Sequence, residues 1–398
     1  MAQRGRRGTW RDPRRRDARE QGDRGPARRP RRGGRAVSSP VVRDVEARLV
    51  RVPMRRPLHT SASRVTDAPL LLVDVHTEDG PTGRCYLFCY LDAVGRAAAA
   101  ITRSLGEGLV GTPAEPAAVR AQLADRTRLV GASGVVGGVL AALDVACWDV
   151  VALAAGVPLA RLLGARPVPV PAYNSNGLGL VDPATAADEA VELAGEGFRA
   201  VKMRLGRADP DSDVAAVRAV RRALGDDVGV MADFNQALSR ATARERCRAL
   251  DDEGLTWIEE PVRHDDHAGA ADLAATLRTP VQLGENLAGP RDAARAVSAG
   301  VCDLLMVDLD RIGGVTGWSA AAALADQHAI PLSSHLYPEV SAHLLAASPT
   351  AHWLEYVDWA EPVLLDPAPV ADGAMSAPER PGTGLVWDEE AVARYRIG

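Results

Sequence analysis

From about residue 168 onward, short β-branched or apolar runs recur between longer stretches whose apolar residues return every three or four positions. Runs of the first kind read as strands and stretches of the second as amphipathic helices. The runs at 168–173, 200–205, 228–234, 256–260, 281–285, 304–309, 331–335 and 352–355 predict eight strands. Eight strands alternating with helices is the arithmetic of a TIM-type barrel, an α/β fold that carries its chemistry at the C-terminal ends of the strands. Ahead of the barrel the pattern changes. Residues 45–52 and 70–75 read as strands, Thr77-Glu78-Asp79-Gly80 carries an Asp-Gly hairpin signal, and 91–105, 114–129 and 135–155 read as helices rich in Ala and Leu. The expected organisation is a tail over 1–40, a small α+β unit over 41–166, the barrel over 167–356, and a closing segment over 357–398 that packs back on the first unit.

Composition sharpens this picture at three points. The chain has 398 residues, 46% of them hydrophobic, enough for one large domain or two ordinary ones with a buried core. Its net charge of -5 hides a contrast: residues 1–40 hold 14 Arg against Asp12, Asp17, Glu20 and Asp23, so the tail is +10 and the rest -15. With almost nothing apolar to bury, the tail is expected to be disordered; its charge raises nucleic-acid binding as a remote alternative, against which a solvated extension is preferred. Cys85, Cys89, Cys147, Cys247 and Cys302 are scattered and form no CxxC pair, which argues against a disulfide scaffold or a thiolate zinc site and fits a reducing cytoplasm. Of 47 basic residues, 46 are Arg and only Lys202 is Lys, so a phosphate-gripping P-loop is excluded and a Schiff-base enzyme could use only that residue. No apolar run approaches 18 residues and the first 40 residues hold no hydrophobic core of a signal, so neither a membrane span nor a secretory signal is expected.

Chemically capable side chains close successive apolar runs. Lys202 and Arg204 lie in the second, Asp233 ends the third, Glu259 the fourth, Glu285 the fifth, Asp308 the sixth, His335 the seventh and Glu355 the eighth. The steps 233 to 259 and 259 to 285 are both 26 residues, one strand-helix unit each. Three carboxylates converging on one barrel mouth repel unless a cation sits among them, and hard oxygen ligands select Mg²⁺. Asp233, Glu259 and Glu285 are therefore expected to bind Mg²⁺, with Asn235 supporting the site or touching substrate. Asp308 and His335 end neighbouring strands, close enough for Asp308 to accept from one ring nitrogen and raise the basicity of the other. His264 and His267 flank Asp265-Asp266 without a third zinc ligand.

These residues stand in an ordered set of motifs: Lys202-Met203-Arg204, Asp233-Phe234-Asn235-Gln236, Trp257-Ile258-Glu259-Glu260-Pro261, Gly284-Glu285-Asn286, Ile312-Gly313-Gly314-Val315-Thr316-Gly317-Trp318, Ser333-Ser334-His335-Leu336 and His352-Trp353-Leu354-Glu355. The set resembles the enolase superfamily, specifically its mandelate racemase subgroup, from about Val45 to near the C-terminus. The resemblance implies a (β/α)7β barrel with an N-terminal α+β capping domain, and Mg²⁺ on Asp233, Glu259 and Glu285 binding the carboxylate of a 2-hydroxy acid. It implies that a base removes the adjacent proton, and that Lys202 and the cation stabilise the enediolate while Glu355 donates a hydrogen bond as a neutral acid. It also implies symmetric homo-oligomers, dimers to octamers. Where mandelate racemase has Lys-x-Lys, this chain has Arg204, a poor base and a good carboxylate clamp. A single base, His335, suffices for dehydration, so an acid-sugar dehydratase leads and a 2-hydroxy-acid racemase or epimerase is the alternative. The segment Pro57-Leu58-His59-Thr60-Ser61-Ala62-Ser63-Arg64-Val65 resembles the family's capping loop: Leu58, Ala62 and Val65 suit an apolar group, whereas Arg55, Arg56 and Arg64 suit a polyhydroxylated acid or diacid.

Overall fold

An alternating run from Val42 to His59 forms strand β1, which pairs antiparallel with β2 (Arg64–Thr77); β2 in turn pairs antiparallel with β3 (Gly83–Phe88). The structure, a computed structural model, describes residues 39–397, so the expectation for 1–40 lies outside the described residues except at Ser39 and Pro40. Strand β2 is the centre of this sheet and is buried on both faces from Ala68 to Val75. The turn from β2 to β3 contains Asp79-Gly80 as expected, but it is a five-residue connection, held by the Thr77 hydroxyl donating to the Pro81 carbonyl at 2.8 Å.

Helices α1 (Asp92–Glu107), α2 (Pro116–Thr127) and α3 (Gly134–Ala154) cover the sheet, each within two residues of the predicted ends. Helix α3 is apolar on nearly every side, as a helix enclosed by protein is. It is long and apolar enough, by length and composition, to cross a membrane, and most of it is buried within the structure. Its two aspartates are hydrogen-bonded: Asp149 accepts from the Arg84 and Thr383 amides at 2.8 and 2.6 Å, and Asp144 from the Thr316 amide at 2.9 Å. A short α4 (Leu159–Leu162) leads into the barrel.

There the chain runs β4 (Val170–Asn174), α5 (Pro183–Gly195), β5 (Ala200–Arg204), α6 (Pro210–Leu224), β6 (Gly229–Asp233), α7 (Arg240–Leu250), β7 (Ile258–Glu259), α8 (His267–Thr276), β8 (Val281–Leu283), α9 (Pro290–Ser298), β9 (Leu304–Asp308), α10 (Leu309–Ile312), α11 (Gly314–Gln327), β10 (Leu332–His335), α12 (Pro338–Ala346) and β11 (Leu354–Tyr356). Each strand from β4 to β10 lies beside the next in parallel, β11 pairs with β4, and the Ser334 amide donates to the Trp353 carbonyl at 3.0 Å to close the ring. This is the predicted (β/α)7β barrel with its α+β cap. Local chemistry starts the helices where they start: Asp182, Asp209, Ser239 and Asp266 cap α5 to α8, with Pro183 and Pro210 in the first turn. Strand β7 keeps only two of five predicted residues: Glu260 ends it by turning into the left-handed region at φ +36°, and Thr256 and Trp257 precede it, still bonded to β6 at Val230 and Ala232.

The last residues return over both units. Past a 3-10 turn (Glu361–Val363), the strands β12 (Val370–Ala371) and β13 (Ala374–Met375) form a hairpin, and β13 adds antiparallel to β4. Around α13 (Glu389–Tyr395), Trp387 donates to Asp74 at 2.8 Å and the Ile397 amide to the Leu49 carbonyl at 2.9 Å, both on the first sheet.

Candidate active site

Asp233 and Glu259 are the last residues of β6 and β7, and Glu285 follows β8 by two. Gly284 makes the last placement possible. Its φ is +138°, and a Cβ there would lie 2.2 Å from the Met306 carbonyl oxygen of the neighbouring strand, so only glycine lets the chain turn against β9 and swing Glu285 inward. One carboxylate oxygen of each acid lies within 4.8 Å of those of the other two, and all three residues are buried.

Neighbours orient them. The Asn235 amide and side chain donate to Asp233 at 2.7 and 3.0 Å, Trp257 and Gln282 donate to Glu259 at 3.0 and 3.3 Å, and Asn286 donates to Glu285 at 3.1 Å. Lys202 Nζ sits 2.6 Å from Glu259, 2.8 Å from Glu355 and 3.2 Å from Asp233. One ammonium does not balance this many acids. Burial pushes the Glu259 carboxyl up to about 8, and Asp233, Glu355 and Glu285 add to the rise although Lys202 opposes it. Glu260, buried beside the same group, is raised too, first by burial and then by Glu285. Its Oε1 and the Asn235 Oδ1 are buried without a hydrogen-bond partner. An all-oxygen donor set with surplus negative charge and idle lone pairs fits a hard divalent cation. An Arg-paired network does not describe it: among the described residues no Arg pairs with Asp233 or Glu259, and the nearest to Glu285, Arg311, is 3.9 Å away.

His335 ends β10 beside Asp308 at the end of β9, as register predicts. Its Nδ1 lies 2.6 Å from Asp308 Oδ2, which leaves Nε2 facing the cluster, 3.2 Å from Glu285 and 3.9 Å from Glu355. Asp308 Oδ1 is held by the Asp310 and Arg311 amides at 2.9 Å each, so the acid is fixed at both oxygens. Burial works against an imidazolium here, yet Glu285, Glu355 and Asp308 carry the ring up to about 9. The backbone around these strand ends is strained: Asn235, Gln236, Glu260, Leu336 and Tyr337 all have φ between +36° and +64°, a conformation that clusters where side chains must be aimed.

Two expectations meet a different arrangement. Glu355, expected as a neutral acid, stands between Lys202 and His335, which against the cost of its burial hold its carboxyl well below the usual range, and its Oε2 accepts from the Leu336 amide at 2.9 Å. Arg204 is not a free clamp. Its guanidinium donates to the Ser175 and Gly177 carbonyls at 2.8 and 3.1 Å and to the Ser175 hydroxyl at 2.9 Å, and the residue is 4% exposed. Arg55 and Arg56, considered for substrate, pair instead with Glu196 and Asp358 and with Glu192, tying the cap to the barrel; Arg64 is exposed.

A cavity of about 230 Å³ stands over the cluster. Leu58, Val65 and Asn235 line it, with Lys202, Arg204, Asp233, Glu285, His335 and Glu355. The sequence reading missed Phe88, Tyr90, Gln236, Asn286, Arg311 and Trp359, which also line it. Gln236, Asn286 and Arg311 sit just past the strand-end acids already singled out, which was the available signal. Phe88, Tyr90 and Trp359 come from the cap and the closing segment, which the alternation along the barrel does not reach.

Two family models cover most of the chain: Mandelate racemase / muconate lactonizing enzyme, N-terminal domain, over residues 43–164, and Enolase C-terminal domain-like, over residues 185–391. Among curated relatives, L-talarate/galactarate dehydratase of Salmonella typhimurium is 32% identical over 329 residues, 82% of each chain. The 3,6-anhydro-alpha-L-galactonate cycloisomerase of Streptomyces coelicolor is 33% identical over 362 residues, 90% of this chain and 100% of the relative. Among solved structures, an enolase from Bradyrhizobium complexed with magnesium and mandelic acid is 40% identical with a TM-score of 0.87, covering 91% of this chain and 100% of that one.

Proposed function

The chain belongs to the mandelate racemase / muconate lactonizing enzyme family of the enolase superfamily, and on that premise we propose that it is a Mg²⁺-dependent dehydratase of an acid sugar. The observation that carries the reading is the placement of one competent base, His335 on Asp308, facing the carboxylate cluster, with a guanidinium turned away at Arg204 where a second base would stand. Asp233, Glu259 and Glu285 would hold the cation. When bound, Mg²⁺ would offset the charge of Glu285, which raises the His335 ring, and would supply positive charge for the substrate carboxylate.

The rest is this chain's own work. Asp308 fixes the imidazole so that Nε2 takes the proton on the carbon next to the carboxylate. Lys202, charged and buried, stands by the negative charge that develops. The same Nε2 then returns the proton to the departing 3-hydroxyl, which leaves as water and gives a 2-keto-3-deoxy acid after tautomerisation. Glu355, as a carboxylate, holds Lys202 at 2.8 Å and the Leu336 amide, and so keeps the cation and the base strand in register.

A racemase of an apolar hydroxy acid is the second reading, favoured by Leu58 and Val65 in the cavity and by the mandelic acid complex of the Bradyrhizobium relative. Proton NMR in D₂O with Mg²⁺ and a panel of acid sugars, tartrates and both mandelates separates the two. The dehydratase gives a 2-keto-3-deoxy acid; α-proton exchange with recovery of both configurations and no keto acid would replace it with the racemase.

A further inference from the structure

Lys202 and two arginines line the cavity, and they differ in what their N–H groups already do. Lys202 directs its ammonium to three carboxylates at 2.6, 2.8 and 3.2 Å. Arg204 turns both terminal nitrogens to the loop after β4. Arg311 is different. Its Nη1 donates to the Glu285 carbonyl at 3.0 Å and the Asn286 side chain at 2.9 Å, and its Nη2 donates to Tyr90 Oη at 3.3 Å. A guanidinium has five N–H groups in a fixed fork, so the Nε edge and one Nη2 hydrogen remain uncommitted. The side chain is 31% exposed, against 1% for Lys202.

Tyr90 completes the arrangement from the cap. It accepts from Arg311, so its own hydroxyl proton is free to donate, and its ring lies under the guanidinium with the carbon 5.7 Å from the ring centroid. The ring is also seated against Phe88 at 4.3 Å, which in turn meets Trp359 at 4.8 Å. Tyr90 holds φ +58°, a left-handed conformation costly for an aromatic residue, and it lines the cavity. Arg311 is anchored with equal care, since its amide is one of the two that fix Asp308.

We propose that Arg311 and Tyr90 form the recognition element for a second carboxylate, so that the enzyme selects open-chain 2-hydroxy dicarboxylic acids over their monocarboxylic counterparts. The inference rests on the dehydratase reading, in which the first carboxylate would be bound at the cation that Asp233, Glu259 and Glu285 hold, beside Lys202. The free fork edge matches a planar carboxylate, and the Tyr90 hydroxyl adds a donor from the opposite unit. Cap and barrel thus each contribute one donor residue, and the selectivity draws on both.

The test compares D-glucarate with D-gluconate, identical except at the far terminus, in the wild type, Arg311→Met and Tyr90→Phe, each with Mg²⁺. Wild type should favour glucarate in kcat/KM; Arg311→Met should lose about 30-fold more on glucarate than on gluconate, and Tyr90→Phe about 5-fold more, the range expected for charge-assisted and neutral hydrogen bonds. Equal losses on both acids would overturn the proposal and make Arg311 a positioning residue for Asp308 and Glu285. Calorimetric binding to His335→Asn keeps the test independent of turnover. Glucarate binding tighter than gluconate, and weakened by adding Arg311→Met, supports the assignment even if neither acid is dehydrated, in which case only the reaction reading falls. Equal binding of the two acids overturns it.

Discussion

Two buried imidazoles, eight positions apart in the chain, live under opposite rules. His335 closes β10 among Asp308, Glu285 and Glu355, and those charges lift it to about 9 against the penalty of burial. His343 sits in α12, wholly buried, where burial drives it down to about 4. Its neighbours are backbone groups: Nε2 meets the Thr383 carbonyl at 3.1 Å and Nδ1 accepts from the Ala160 amide at 3.2 Å, a pairing that only the neutral ring can make. Burial alone therefore says nothing about whether a histidine in this chain is chemistry or scaffold. The sign of the surrounding charge decides.

The comparison breaks most visibly at the charged end. His335→Asn should lower α-proton exchange by at least about 10³-fold, within the usual worth of a positioned general base and its substrate alignment, with a melting temperature close to wild type. Exchange that survives would move the chemistry elsewhere. Lys202→Met comes next. Leaving Asp233, Glu259 and Glu355 buried without their shared ammonium should cost about 3–5 kcal/mol, read by urea unfolding, besides activity.

At the scaffold end the effect is in pH rather than rate. The folded His343 stays neutral down to about 4, while the unfolded ring takes a proton near 6.5, so its contribution is full above 6.5 and is lost as pH falls toward 4. Integrated over that window it amounts to roughly 3 kcal/mol. His343→Gln should flatten the slope there. The difference between variant and wild type is the quantity to measure, because Asp144 and Asp149, pushed up to about 6 by burial, titrate with the opposite sign: the fold retains their protons and loses stability as pH rises from about 4 to 6. The smallest effect belongs to the Arg263–Asp265 pair at 2.9 Å, both side chains exposed, where Arg263→Ala should leave the urea midpoint within error.

The barrel was legible because its strands are buried on both faces and read as separate apolar runs, and because one strand-helix unit repeats closely enough to bring Asp233, Glu259 and Glu285 into phase. His335 and Asp308 followed from the same register. The C-terminal end of β7 was not legible, since nothing local announces the left-handed turn at Glu260. Nor were the partners of Arg55, Arg56 and Arg204. A lone arginine near a pocket reads as a ligand for substrate until the fold shows which carbonyls and acids it already holds. Tyr90 lies 221 positions from Arg311, so their meeting is a property of the cap docking on the barrel and has no trace in either segment alone.

The single lysine makes this protein unusual as a chemical reagent. Among its side chains there is one amine, it is 1% exposed, and it stands where substrate charge would develop. Acylating reagents that modify dozens of surface amines on an ordinary enzyme would here find no lysine on the surface of the described residues. Modification of Lys202, followed by peptide mass to separate it from the chain's α-amine, would then report one event, an opening of the site wide enough to expose that ammonium. The frequency of that opening, with and without a bound acid, becomes countable without an engineered label.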